Sequence, residues 1–281
     1  MPRQNWNPLP ARTSSVQVDR VYHFVNRGFR LIFRLLGLRF EVRGAQHIPA
    51  DGAAVIASNH LSYLDFTFVG LAASTRPRLV RFMAKHATFV NPISGPLMRA
   101  MGHIPVDRES GAAAYRIAAR KLADGQIVGV FPEATISRAC TLKSFKLGAA
   151  TLAVWEQVPL IPVVLWAPQR TFTVDQHYNF RRGKTIMVMV GEPMHAAPDA
   201  DRHEVEDELR RRMQLLLDEA MRDYPDTPLD EADRWWVPLE QGGTAPNLAD
   251  AAVREEAVRV SRLAAKAAKA AKKARKAARR G

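Results

Sequence analysis

The chain has 281 residues, of which 47% are hydrophobic, with a net charge of +13 and one cysteine, Cys140. This is enough apolar material for one large domain or two small ones. It excludes an internal disulfide and suits a reducing compartment. The charge is uneven: residues 254–281 carry eleven Lys or Arg against two Glu, or +9, which leaves +4 for the other 253 residues.

The opening MPRQNWNPLP is polar and Pro-rich, unlike a signal peptide, and no uncharged apolar run approaches a bilayer-spanning length. Residues 1–17 read as a leader. On a helical wheel, residues 18–36 place Val21, Val25, Phe29, Ile32, Phe33 and Leu36 on one face, flanked by Tyr22, Phe24, Leu31 and Leu35. Arg20, Arg27, Arg30 and Arg34 lie in the opposite arc. Such a helix fits either the surface of an anionic membrane or the protein's own sheet.

Residues 39–43 read as a strand stopped by Gly44, and residues 53–58 as a second. A helix is expected over 62–73 and a third strand over 78–83. Asn91-Pro92 and Gly95-Pro96 punctuate a loop or short helix. A strand follows at 102–108, a helix at 112–123 and a strand at 127–131. The pattern continues with a helix at 148–155, strands at 160–166 and 185–190, and a long charged helix at 202–224. Strands alternating with helices imply an α/β fold with a mixed, mostly parallel sheet flanked by helices. The expected organisation is a leader and amphipathic helix at 1–38, an α/β domain at 39–224, a linker at 225–250 and a basic helical or disordered tail at 251–281.

Three strand ends carry polar residues suited to one crevice. His60 follows the second strand, with Asp65 five positions on. A neutral imidazole can take a proton from a hydroxyl, and a carboxylate beside it fixes the tautomer and steadies the imidazolium. A helix starting at Ser62 makes Asp65 its third residue, so the same residues also fit a capping box. Asp107-Arg108 ends the fourth strand. Glu133, Thr135, Ser137 and Arg138 follow the fifth. Arg suits bidentate recognition of phosphate, and Lys85 and Lys146 add point charges.

These residues resemble the motifs of the glycerolipid acyltransferases, the 1-acylglycerol-3-phosphate acyltransferase family. N-H-L-S-Y-L-D, ending at Asp65, is similar to the family's His-x4-Asp motif. G-H-I-P-V-D-R ends at Arg108, F-P-E-A-T-I-S-R spans 131–138, and V-P-L-I-P-V spans 158–163. The motifs occur in order over roughly residues 40–195. The resemblance implies that His60 is the general base on an acceptor hydroxyl and that Asp65 orients it. It implies that Arg108 binds the acceptor phosphate and that Glu133 and Thr135 shape the acceptor site. The acyl donor would be acyl-CoA or acyl-carrier protein, with no metal and no acyl-enzyme. Backbone N–H groups of the His60 turn are candidate oxyanion donors. The third motif departs from its usual form: Ala134 stands where Gly is usual and Ile136 where Arg is usual, so phosphate binding falls to Arg138, or to Arg108 with Lys146.

The expected function is transfer of a fatty acyl group to lysophosphatidic acid at the cytoplasmic face of the cell membrane. The protein would be held there peripherally by the N-terminal helix and the basic tail. Another lysophospholipid or a phosphoglycolipid is the alternative acceptor. A non-enzymatic lipid- or nucleic-acid-binding protein is the second alternative, with nucleic acid disfavoured. A hydrolase using Ser62 or Ser137 is weaker, because neither serine sits in a G-x-S-x-G elbow. Trp235-Trp236 in the linker is expected to dock.

Overall fold

The computed structural model describes residues 15–107, 111–176, 179 and 181–278. Two compact units divide the chain: Met1–Ile136 with Ser144–Thr227, and Ser137–Lys143 with Pro228–Gly281.

The first unit contains a seven-stranded sheet. Its strands are β1 (Arg39–Arg43), β2 (Ala54–Ser58), β3 (Val80–Lys85), β4 (Ile104–Val106), β5 (Ile127–Val130), β6 (Leu160–Trp166) and β7 (Thr185–Val190). They lie in the order β1-β7-β6-β2-β5-β3-β4. Every neighbouring pair is parallel except β6 and β7. The C-terminal ends of β2, β3, β4, β5 and β6 therefore share one edge, where open α/β sheets bind ligands.

The helices of this unit are α1 (Ser15–Leu35), α2 (Asp65–Ala73), α3 (His86–Val90), α4 (Ser94–Ala100), α5 (Gly111–Ala123), α6 (Gly148–Glu156) and α7 (Arg202–Arg222). α2 is apolar on nearly every side and buried. Side chains alternate along strands, so Ile56, Ile161, Val163 and Leu165 share one core cluster with Phe68 of α2 and Phe33 of α1. α6 packs on β2, α7 packs on β6, and the two helices pack on each other.

α1 docks on the unit through a narrower stripe than its apolar arc. Tyr22, Asn26 and Phe33 are buried, and the Tyr22 hydroxyl donates to the Val80 carbonyl at 3.0 Å. Arg81 reaches up to Asp19 and lies over the Tyr22 ring. The centre of contact is thus rotated towards Asn26. Ile32, Leu31, Leu35 and Phe24 are left exposed beside the arginines.

Several expected boundaries move by a few residues, β4 shortening to Ile104–Val106, and two of the shifts have a visible cause. α2 starts at Asp65 rather than Ser62, because residues 61–64 form a turn held by longer-range bonds. β3 starts two residues later than expected, because the Arg78 guanidinium turns aside to the Pro49, Gly52 and Gly125 carbonyls. Where a loop or short helix was expected, residues 91–93 join two short helices, and Gly95-Pro96 lies inside the second.

In the second unit Trp236 is buried, and α8 (Leu248–Ala278) carries the basic run as helix. The Lys143 ammonium meets Glu255 of α8 at 2.8 Å. No helix among the described residues is long and apolar enough to cross a membrane.

Candidate active site

β2 delivers Asn59 and His60 to the shared edge. The Asn59 side chain extends the sheet beyond the last ladder bond: its amide donates to the Leu165 carbonyl at 2.9 Å and accepts the Leu165 N–H at 2.7 Å. A polar residue is retained at a buried strand end because both halves of its amide are satisfied.

Beyond Asn59 the chain folds back around one carboxylate. Asp65 is completely buried, and its Oδ2 accepts from His60 Nδ1 at 2.8 Å, from the Leu61 N–H at 2.6 Å and from the Ser62 N–H at 2.8 Å. Burial pushes the Asp65 carboxyl above its ordinary range, while the His60 ring and the two amides pull against that rise. The turn and the His–Asp pair are therefore one device, in which the amides of Leu61 and Ser62 and the imidazole share an acceptor. With Nδ1–H given to Asp65, the neutral ring carries its lone pair on Nε2. The His60 side chain is 21% exposed, and its ring stacks on Phe131 at 4.4 Å, which stacks on Phe82 at 5.4 Å.

Two other segments brace the turn. Glu133 is buried, and its Oε1 accepts the His60 backbone N–H at 3.1 Å. The loop after β6 accepts Ser62 Oγ–H at the Phe172 carbonyl (2.6 Å) and the Tyr63 N–H at the same oxygen (3.1 Å). Thr173 Oγ1 donates to the Leu61 carbonyl at 2.6 Å. That loop is itself fixed by Arg170, which bonds Tyr224 and Asp226 at 2.8 and 2.9 Å.

This bonding overturns the expected oxyanion donors. The N–H of His60 goes to Glu133, those of Leu61 and Ser62 to Asp65, and that of Tyr63 to Phe172. The Leu64 N–H goes to Ser62 Oγ and the Asp65 N–H to the Ser62 carbonyl. The turn spends its amides on its own shape. The serine-hydrolase alternative also loses support, since Ser62 Oγ–H and Ser137 Oγ–H (2.7 Å, to Thr141) both donate to backbone carbonyls.

The structure brings His60, Asp65 and Glu133 together. Lys85 is exposed at the end of β3, on the same sheet edge. Lys146 is exposed, and its backbone N–H is bound to the Pro132 carbonyl, next to Glu133. Thr135 is half-buried two residues after Glu133. Arg138 is half-buried in the second unit. Arg108 lies outside the described residues. Asn59 and Thr173 were missed in the sequence; Asn59 adjoins the His60 motif, but nothing local identifies Thr173. A cavity of about 340 Å³ lined by Leu160, Met194, Val205 and Arg212 begins at the opposite end of β6 and holds none of these groups.

A family model described as Acyltransferase matches residues 39–166. The 1-acyl-sn-glycerol-3-phosphate acyltransferase of Bacillus subtilis (strain 168) is 30% identical over 178 residues, covering 63% of this chain and 84% of that protein. The human 1-acyl-sn-glycerol-3-phosphate acyltransferase alpha is 31% identical over 194 residues, covering 67% of each. The crystal structure of the 1-acyl-sn-glycerophosphate (LPA) acyltransferase PlsC from Thermotoga maritima shares the fold, with a TM-score of 0.61 at 22% identity, over 74% of this chain and 81% of that one. With its His–Asp pair seated at the C-terminal edge of this sheet, the chain belongs to the 1-acyl-sn-glycerol-3-phosphate acyltransferase family.

Proposed function

We propose that the protein is an O-acyltransferase that moves a fatty acyl group from a thioester, acyl-CoA or acyl-carrier protein, to the free hydroxyl of lysophosphatidic acid, giving phosphatidic acid. The observation that carries this reading is the His60–Asp65 bond at 2.8 Å on a fully buried carboxylate. His60 Nε2 takes the hydroxyl proton as the oxygen attacks the thioester carbonyl. The C–S bond then breaks, and the thiolate recovers the proton from the imidazolium. Asp65 stays ionised and balances the charge that forms on the ring. Glu133 positions His60 by holding its backbone N–H. Arg108, Thr135, Arg138, Lys146 and Lys85 are proposed for the acceptor's phosphate. The names of the relatives support the acceptor; the donor is chosen for its chemistry, since a thioester is already activated and needs little beyond a base and a positioned acceptor.

The exposed Phe24, Leu31, Ile32 and Leu35 of α1, set beside arginines, support a peripheral seat on an anionic membrane, with the basic run of α8 as a second attraction.

The test is thioester turnover with acyl-CoA and lysophosphatidic acid, following thiol release and lipid product together. Replacing His60 with Ala is expected to lower kcat by about 10²–10⁴-fold while the protein stays folded. Thiol release without phosphatidic acid would point to another acceptor. A variant as active as wild type would remove His60 from the mechanism.

A further inference from the structure

The turn between α3 and α4 presents two aliphatic side chains to solvent on a rigid mount. Ile93 is 86% exposed and Val90 66%. The mount is built with care. Asn91 Oδ1 accepts the N–H groups of Ile93 and Ser94 at 2.9 and 3.1 Å, and Ser94 Oγ donates to the Thr88 carbonyl at 2.8 Å. Arg99 clamps the Phe89 carbonyl at 2.5 Å. Gly95 allows the two helices to meet this closely, because a Cβ there would lie 2.2 Å from the Phe89 oxygen. A tip held from four directions has no internal use for an exposed Ile.

Its position supplies the use. α3 follows directly from the C-terminal end of β3, so the tip stands at the sheet edge that carries His60. β3 neighbours β5, β5 neighbours β2, and Phe82, Phe131 and His60 form one stack across those strands. Because β6 and β7 are antiparallel and β1 follows β7, β1 begins at this edge too. The C-terminal turn of α1, with exposed Leu31, Ile32 and Leu35, therefore ends on the same side. The segments that carry these apolar groups bear charge of one sign. Residues 66–106 contain no Asp or Glu, and neither do residues 20–40. Arg27, Arg34, Lys85, His86 and Arg99 are exposed in those segments.

We infer that the Val90–Ile93 tip inserts into the interfacial region of an anionic bilayer and, with the end of α1, lays the catalytic edge of the sheet against the lipid. Apolar side chains on a cationic surface suit that occupant, since the aliphatic groups leave water while the rim meets phosphate. The proposal deepens the lipid-acyltransferase reading and rests on it for its purpose, though not for its geometry. A lysolipid would reach His60 by moving sideways along the bilayer surface.

The experiment uses the full chain and vesicles of phosphatidylcholine with phosphatidylglycerol. Val90→Ser/Ile93→Ser is expected to weaken co-sedimentation at least about tenfold with an unchanged unfolding midpoint. In Ile93→Trp, the added indole is expected to shift to the blue on vesicles and to be quenched by acyl-brominated lipid, beyond the response of the native tryptophans in wild type. Partition of the Ser variant equal to wild type, or a bound Ile93→Trp protein without that extra quenching, would overturn the proposal. So would loss of self-association in the Ser variant without any lipid effect, since the tip would then be a contact between copies of the chain. None of these readouts needs turnover. His60→Ala carrying the same substitutions should give the same quenching, so failure of the transferase reading is seen separately.

Discussion

At the scale of single residues, the third motif shows how a local departure is absorbed. Ala134 has φ +60°, a conformation in which an L side chain is strained and Gly is not. The residue that breaks the usual sequence sits where the backbone still demands what Gly provides. Ala134→Gly is therefore expected to raise stability by up to about 1 kcal/mol in urea unfolding, the relief of strain being partly offset by the greater freedom of Gly in the unfolded chain. His60 and Asp65 were legible because their spacing is local and their chemistry is specific. The start of α2 was not: Ser62 Oγ accepts the Leu64 N–H as a cap would, but bonds from residues 61–63 to Phe172 and Thr173, more than a hundred positions away, hold that stretch as a turn, and the helix begins at Asp65. Glu133 was expected to shape the acceptor site; its hydrogen bond to the His60 backbone depends on β2 and β5 lying side by side, a pairing that no local pattern reveals.

At the scale of elements, β6 and β7 match their expected spans because they are continuous apolar runs with clear ends, and β1 ends where Gly44 turns the chain. The amphipathic pattern of α1 correctly announced a helix but not its docking stripe, because the apolar arc is wider than the surface available to cover it. β5 shows how tightly an element can be tied to the site. A Cβ added at Gly129 would lie 2.5 Å from the Phe82 ring and 2.7 Å from Val80. Phe82 stacks on Phe131, and Phe131 on His60. Gly129→Ala should cost about 1–3 kcal/mol by overpacking. It should also lower kcat more than it raises the KM for the acceptor, which steady-state kinetics at saturating donor would show.

At the scale of the molecule, one buried side chain links stability to pH. His103 sits among Tyr22, Phe66 and Phe82, and its Nδ1 accepts the Phe82 N–H at 3.0 Å. Burial, with the Arg81 charge beside it, pushes its pKa down from 6.5 to about 3. The unfolded chain takes up a proton on this ring below pH 6.5 and the folded chain does not until about pH 3. This contribution to stability is therefore whole above pH 6.5 and is lost through that window as pH falls, at about 1.4 kcal/mol per unit. Comparing wild type with His103→Asn by urea unfolding between pH 7 and 4 should show a pH slope smaller by about one proton in the variant, whatever its stability at pH 7.

The bonds that shape the His60 turn have a consequence for the order of events in synthesis. They join residues 73, 106, 110 and 112 positions apart. His60 is made in the first quarter of the chain, yet the last brace of its turn, Thr173, leaves the ribosome more than a hundred residues later. A chain made from its N-terminus thus carries the imidazole through more than a hundred residues of synthesis without the scaffold that aims it. Loop closure over such spans is slow and belongs to late folding. The His60–Asp65 turn therefore has its full set of braces only once the sheet has closed.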